Sequence, residues 1–519
     1  MGFKSDIQSP SPRIESIFQK NELPSPEEEN VCSREISAIE DAIVIIDREI
    51  QTLLEEKARL TEYARKYRSI LHPIRRLPYE VLLEIFSACV EVRNHRDIMV
   101  PERLPSEPVP SLALDEPPWS LGQVCRKWRQ TALSCPSLWT YIGIAFPTRY
   151  GPAYHRKDAI THSLTIFLSR SGNLPLVVHV DFDCASTGID EPGLLAICSQ
   201  SLRWKKLRFT GRTIDNGLHT VFPPLSRLIK SKVPLLHSLF FDFPGFIIPS
   251  LSPGPRAIDA FEDAPSLRCV IIRGLTPDPY TSLRIPWDQI TGFHRIICLG
   301  WRVIYEDIPL ELMPEIVEYS DTYFRCLPGS HIIDLSRLQA LRISKDETIP
   351  CDLNLLQMGE RFNDLRIGNE HGGHPIESLV PFLQRWGNTL RCLCLDDQSI
   401  TSFDDNLTQT LGYLHSLKAL ALSRGYGKSH APLIKALTTS TQTHRCPQLQ
   451  HLALFGGAWD RKDVVEMLSS RLLGDQQLRT CGLSTSENID FTFEEFQAQG
   501  LRIWHTDSQE WLTYFLPGH

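Results

Sequence analysis

The chain has 519 residues, 42% of them hydrophobic and 22% charged, which is enough apolar material for a sizeable core and more than one folding unit, and too much for a disordered chain. Its net charge of −8 gives no general attraction for nucleic acid or anionic membranes. The fourteen cysteines form no Cys-x-x-Cys pair and meet no histidine pair at finger spacing, as expected of reduced, buried thiols. The N-terminus has no apolar signal core, and no apolar run approaches the roughly 20 residues of a membrane span. The expected compartment is the cytosol or nucleus, with neither nucleic acid nor membrane as a partner.

Residues 1–32 are polar, proline-bearing and acidic at Glu27-Glu28-Glu29, a composition that predicts disorder. From residue 33 the pattern changes. Ile36, Ile39, Ile43, Ile46, Ile50, Leu53, Lys57, Leu60, Ala64, Tyr67 and Leu71 alternate three and four residues apart, a heptad seam that predicts a long coiled-coil-like helix over 33–72, ended by Pro73. Lys57 is the one charge on the seam and favours a particular register or arrangement of partners. Self-association through 33–72 and an intramolecular role, as one arm of an antiparallel pair or packed on the next domain, are both open.

Leu77-Pro78-Tyr79-Glu80 predicts a helix start, because the residue before proline is extended, proline suits the first turn and an acidic residue there suits the helix dipole. Val81, Leu82, Ile85, Phe86 and Cys89 then form an apolar stripe. A second stripe, Leu121, Val124, Cys125, Trp128 and Ala132, comes after a segment over 92–118 that holds six prolines from Pro101 to Pro118 and predicts an exposed inserted loop. Two short helices cannot cover such large side chains between themselves, so the rest of the chain or another protein must.

Leu-Pro-x-Glu, Ile85-Phe86, Val124-Cys125-x-x-Trp128-Arg129 and Leu138-Trp139, in that order, resemble an F-box. The second half, Pro118-Trp119-Ser120-Leu121-Gly122-Gln123-Val124-Cys125-Arg126-Lys127-Trp128-Arg129, is similar to that of the F-box-like proteins abundant in mushroom-forming fungi, which commonly carry such an interruption and a preceding helix. The resemblance implies a helical module over 73–140 that docks onto the Skp-type adaptor of cullin-based ubiquitin ligases. It also implies that Leu77, Pro78, Ile85, Phe86, Val124 and Trp128 make the adaptor contacts, while Leu138-Trp139 seals the module against the repeat domain that begins near residue 140.

From about residue 140 the chain repeats Leu-x-x-Leu-x-Leu, the strand signature of leucine-rich repeats. Clear copies start at Trp204, Leu236, Leu267, Leu338, Leu390, Leu417 and Leu449, and weaker ones lie around Phe293, Ile316, Phe362 and Leu478. Candidate helices lie between them at Ser378–Trp386, Leu407–Leu414 and Val464–Leu473. The expected fold class is α/β, with the coiled helix and helical module leading over 141–519 into an irregular solenoid with a curved parallel sheet. Asp321 occupies a position that should be buried, which predicts an irregular or broken array near 300–335.

No catalytic, cofactor or metal motif is convincing. Gly425-Tyr426-Gly427-Lys428-Ser429 resembles the end of a P-loop, but the leading glycine position is Leu422, so the segment is expected to be a repeat loop. His371-Gly372-Gly373-His374 beside Glu370 has no further ligand nearby and is expected to be a turn. Together these readings describe a non-enzymatic adaptor without cofactor or metal. Its partners would be a Skp-type adaptor, a cullin reached through it, and a protein substrate bound by the repeats. The alternative is a non-ligase scaffold assembled through the coiled helix.

Overall fold

The structure is a computed structural model. It describes residues 9–20, 23–98, 112–146, 157–182, 192–211, 225–242, 258–273, 283–296, 310–321, 331–344, 352–368, 379–395, 407–439, 445–472, 478–483 and 493–505. The chain divides into two compact units, residues 1–82 and 83–519. Residues 83–140 and the strands that follow them fall in the second unit.

The first unit is helical. Helix α1 spans Pro12–Lys20 and helix α2 spans Pro26–Leu71, so much of the segment expected to be disordered is ordered as helix. The reason is a capping box: the Ser25 hydroxyl accepts from the Glu28 N–H at 3.4 Å, and the Glu28 carboxylate accepts from the Ser25 N–H at 2.8 Å, with Pro26 in the first turn. The Ser25 N–H and the Arg13 guanidinium hold the Glu28 carboxyl down at about 2. No residue of α2 is buried.

Helix α3, Tyr79–Ile98, starts where expected: Leu77 is extended and the Pro78 carbonyl accepts from the Leu82 N–H at 3.1 Å. It continues into the segment expected to be an exposed loop, since nothing between 92 and 98 breaks a helix and the first proline is Pro101. Helix α4, Arg126–Leu133, comes after a short 3-10 turn over Ser120–Gln123.

The second unit is dominated by a parallel sheet of fourteen strands whose spatial order follows the chain. These are β1 (Tyr141–Phe146), β2 (Leu176–Phe182), β3 (Trp204–Gly211), β4 (Ser238–Asp242), β5 (Cys269–Arg273), β6 (Gly292–Ile296) and β7 (Glu318–Asp321). After β8 (Ile333–Leu335) come β9 (Ala340–Ser344), β10 (Leu356–Met358), β11 (Asp364–Gly368), β12 (Cys392–Leu395), β13 (Ala419–Ser429), β14 (His451–Ala458), β15 (Thr480–Leu483) and β16 (Arg502–His505). Strands β8 and β10 pair with each other as a small parallel sheet in the connecting segments. The large sheet is unbroken through β6, β7 and β9, where the sequence admits a gap.

Two backbone features recur. The residue that opens each motif closes a turn on the carbonyl three residues earlier, as in Leu236 on Val233 (3.2 Å), Leu338 on Leu335 (3.0 Å) and Leu417 on Leu414 (3.3 Å). The next residue donates to the equivalent carbonyl of the preceding strand: Asn363 to Gln339 at 2.9 Å, Arg391 to Asn363, Lys418 to Arg391 and Gln450 to Lys418 each at 2.8 Å. Gly359 stands at one such turn because a β-carbon there would collide with the Ser336 carbonyl.

Side chains alternate across the sheet. On the first face, register aligns Leu207, Leu239, Val270, Phe293, Tyr319, Leu341, Leu365, Leu393, Leu420 and Leu452 in one row, all buried. The connecting segments cover this face. Phe261 lies 6.5 Å from Phe209 and 6.1 Å from Phe241, and Trp287 lies 5.9 Å from Phe293. The next row on the same face contains Ile272, Arg295, Asp321 and Ile343. Asp321 is indeed buried; Arg295 of the adjacent strand grips it through two hydrogen bonds of 2.8 and 2.7 Å, and the Tyr319 hydroxyl donates a third at 2.8 Å. A charge matched in this way lets the row continue.

Among the described residues no helix is long and apolar enough to cross a membrane.

Candidate docking module and polar sheet face

Of the six residues expected to contact an adaptor, Leu77 and Pro78 lie in the first unit, half-buried and exposed respectively. The other four are in the second. Phe86 is fully buried and packs edge-on against Trp128, ring centroids 4.9 Å apart, so in this conformation it belongs to the interior and not to a surface. Trp128 is half-buried. Ile85 remains 37% exposed and Val124 61% exposed. The stripe on α3 therefore splits: Phe86 and Val90 turn inward, while Ile85 and Cys89 stay at the surface.

Leu138 and Trp139 are buried, and the Trp139 indole N–H donates to the Ala132 carbonyl at 2.8 Å. Trp139 meets Trp119 at 5.1 Å and Phe167 at 5.2 Å, Phe167 lying on helix α5 (Lys157–Arg170). The Arg170 guanidinium sits over both indoles, 4.7 and 4.4 Å from Trp119 and Trp139. This cluster continues the core from the segment that ends at Trp139 into the strand region, which is the physical reason the two fall in one unit.

The second face of the sheet carries no motif in the sequence that marks it as a site. Register places His179, Arg208, Phe240, Ile271, His294, Ser320, Arg342 and Arg366 in one row. Their neighbours one pleat away supply counter-charges. Arg208 bonds Asp242 at 3.1 Å, and Arg273 lies 3.6 Å from the same carboxylate. Arg366 holds Asp364 through 3.0 and 3.1 Å bonds, with Arg342 at 3.6 Å. The Thr210 hydroxyl donates to Asp181 at 2.9 Å and so accepts from His179 Nε2–H at 3.1 Å. Burial and the Arg208 charge push the His179 imidazole well below its ordinary range, and burial with Arg342 brings His294 down to about 4.

Farther along, the same row becomes small and apolar. Cys394, Ala421 and Ala453 align in register and are buried with Cys392, Ala419 and Phe455. Burial holds the Cys392 thiol well above its ordinary value and raises Cys446 and Cys481 to about 12. These thiols are protonated and chemically quiet, as their scatter predicts.

Gly425–Ser429 lies within strand β13 rather than in a loop, and Ser429 Oγ accepts from the Ala431 N–H at 3.1 Å; this is not the backbone of a phosphate cradle. His371 and His374 fall outside the described residues. Among the described residues no group of three or more His, Cys, Asp or Glu is placed to hold a metal.

No family model matches the sequence, and a search of curated proteins found no match.

Proposed function

We propose that the protein is a non-enzymatic substrate-recognition subunit of a cullin-based ubiquitin ligase, acting in the cytosol or nucleus. In this reading the α3–α4 segment is an F-box-like module that docks onto a Skp-type adaptor, and the strand array is a leucine-rich-repeat solenoid that binds a protein substrate. The carrying observation is the Phe86–Trp128 contact. It joins the Leu-Pro-x-Glu helix to the Val-Cys-x-x-Trp-Arg helix and leaves Ile85 and Val124 at the surface, where apolar anchors for a partner are needed. The recurrent turn, the in-register leucine row and the chain-ordered parallel strands support the solenoid reading.

The test is a pull-down of the full chain with a purified Skp-type adaptor. Val124→Asp should weaken binding roughly tenfold or more while leaving the unfolding midpoint unchanged, because Val124 is exposed. Phe86→Asp is unsuitable, since a charge at that buried position breaks the module itself. Binding retained by both Val124→Asp and Ile85→Asp refutes this docking surface. No binding by the unmodified chain favours the alternative scaffold, for which the exposed seam of α2 is the supporting observation.

A further inference from the structure

We infer that α2 is the half of an antiparallel coiled-coil homodimer, a proposal that does not depend on adaptor docking. The starting observation is exposure. On the seam, Ile36, Ile39, Ile43, Ile46, Ile50, Leu53, Leu60, Tyr67 and Leu71 are 37 to 70% exposed, and Leu54, Tyr63 and Ile70 on its flanks are about half exposed. The apolar stripe runs along a helix of 46 residues, about 69 Å long. Covering these side chains removes on the order of 800 Å² per helix from water, what each partner of a stable complex buries.

Charge selects the occupant. Between residues 26 and 50, eight acidic residues, among them Glu35, Glu40, Asp41 and Glu49, face only Arg34 and Arg48. Between 51 and 71, five basic residues, Lys57, Arg59, Arg65, Lys66 and Arg68, outnumber three acidic ones. An acidic half and a basic half on one helix complement each other when a second copy runs in the opposite direction.

The seam selects the same direction. A parallel, in-register pair sets Lys57 against Lys57 and Ala64 against Ala64, and the flanking positions bring Glu35 next to Glu40 of the other copy without one opposite-charge pair. In the antiparallel register that sets Ile50 against Leu60, Lys57 faces Leu53, Ala64 faces Ile46, Ile43 faces Tyr67, and Glu40 meets Arg68 twice. The like-charge cost is confined to Glu56 beside its own copy at the centre. Unlike the parallel form, this arrangement fills the space beside Ala64 and separates the two lysines.

The experiment uses the full chain and reads mass by sedimentation and geometry by disulfide trapping. The dimer is expected at twice the monomer mass, and Ile50→Asp with Leu60→Asp, both on the helix surface, should return it to monomer. Cys32 occupies a seam position one heptad before Ile39. In a chain with Cys89, Cys125 and the four cysteines outside the described residues, Cys184, Cys298, Cys326 and Cys351, replaced by serine, a parallel pair would link Cys32 to Cys32 on oxidation, whereas the antiparallel pair keeps these thiols tens of ångströms apart. With Cys32→Ser added, an equal mixture of Glu40→Cys and Arg68→Cys chains should cross-link as the mixed dimer, and neither chain should do so alone. A monomeric unmodified chain, a Cys32-linked dimer, or failure of the mixed pair to cross-link overturns the proposal.

Discussion

The second face of the sheet is built in two ways along its length. From β2 to β11 it carries buried arginines, histidines and carboxylates, Arg208 paired with Asp242 on the next strand and Arg366 with Asp364 on its own, with Arg342 of the adjacent strand beside the same carboxylate. From β12 to β14 the equivalent positions hold Cys394, Ala421 and Ala453. The backbone ladder and the leucine row on the first face are the same in both stretches. The difference teaches that the ladder and the first face carry the fold, while the second face varies without altering it.

The comparison can be broken hardest where the polar stretch reaches the first face. Arg295→Leu leaves Asp321 buried without its partner and should lower the unfolding free energy by about 3–5 kcal/mol, whereas replacing Arg295 and Asp321 together with leucine should cost far less. Chemical denaturation of Arg295→Leu, Asp321→Leu and the double variant checks this; a double-variant loss equal to the sum of the two single losses would show that the pair is not coupled. In the small apolar stretch the expected sensitivity is to volume. Ala453→Leu, at a fully buried site, should cost about 1–3 kcal/mol by overpacking, and an unchanged midpoint would mean that unfilled space lies above it. The smallest effect concerns pH. His294 is held neutral in the folded chain, down to about 4, by burial and by Arg342, with the Glu318 carboxylate 4.0 Å from its Nε2. The unfolded chain binds that proton first, so stability is full above about 6.5 and declines as pH falls toward 4. His294→Gln should flatten that decline, measured as unfolding midpoints between pH 7 and 5.

Much of the strand array is legible in the sequence, because Leu-x-x-Leu-x-Leu places one apolar row in every copy and each copy read that way is a strand of the sheet. Strands β1, β2 and β16 are not, since Leu176, Val178 and Val180 alternate without a leading leucine and β16 keeps only Leu501 and Ile503 of the pattern. The polar lattice is invisible for a different reason. Arg208 and Asp242 lie 34 residues apart, and only the register between neighbouring strands makes them partners. Asp321 is marked by its position, but nothing in the sequence marks Arg295 as its mate. On α3, periodicity defines an apolar stripe without saying which part α4 covers, so Phe86 and Ile85 look equivalent until Trp128 is placed. The start of α2 is written in Ser25-Pro26-Glu27-Glu28, which spells its cap, although composition alone points to disorder there.

A sheet made of so many similar rungs carries a hazard of its own, for one rung is easily mistaken for the next. If β6 skipped β7 and joined β9, Arg295 would stand opposite Ile343, and the Asp321 carboxylate would lose its cation. The buried Arg295–Asp321 pair thus works as an address: it gives two interchangeable strands a unique place in the count, and makes misnumbered assemblies the ones that cannot close.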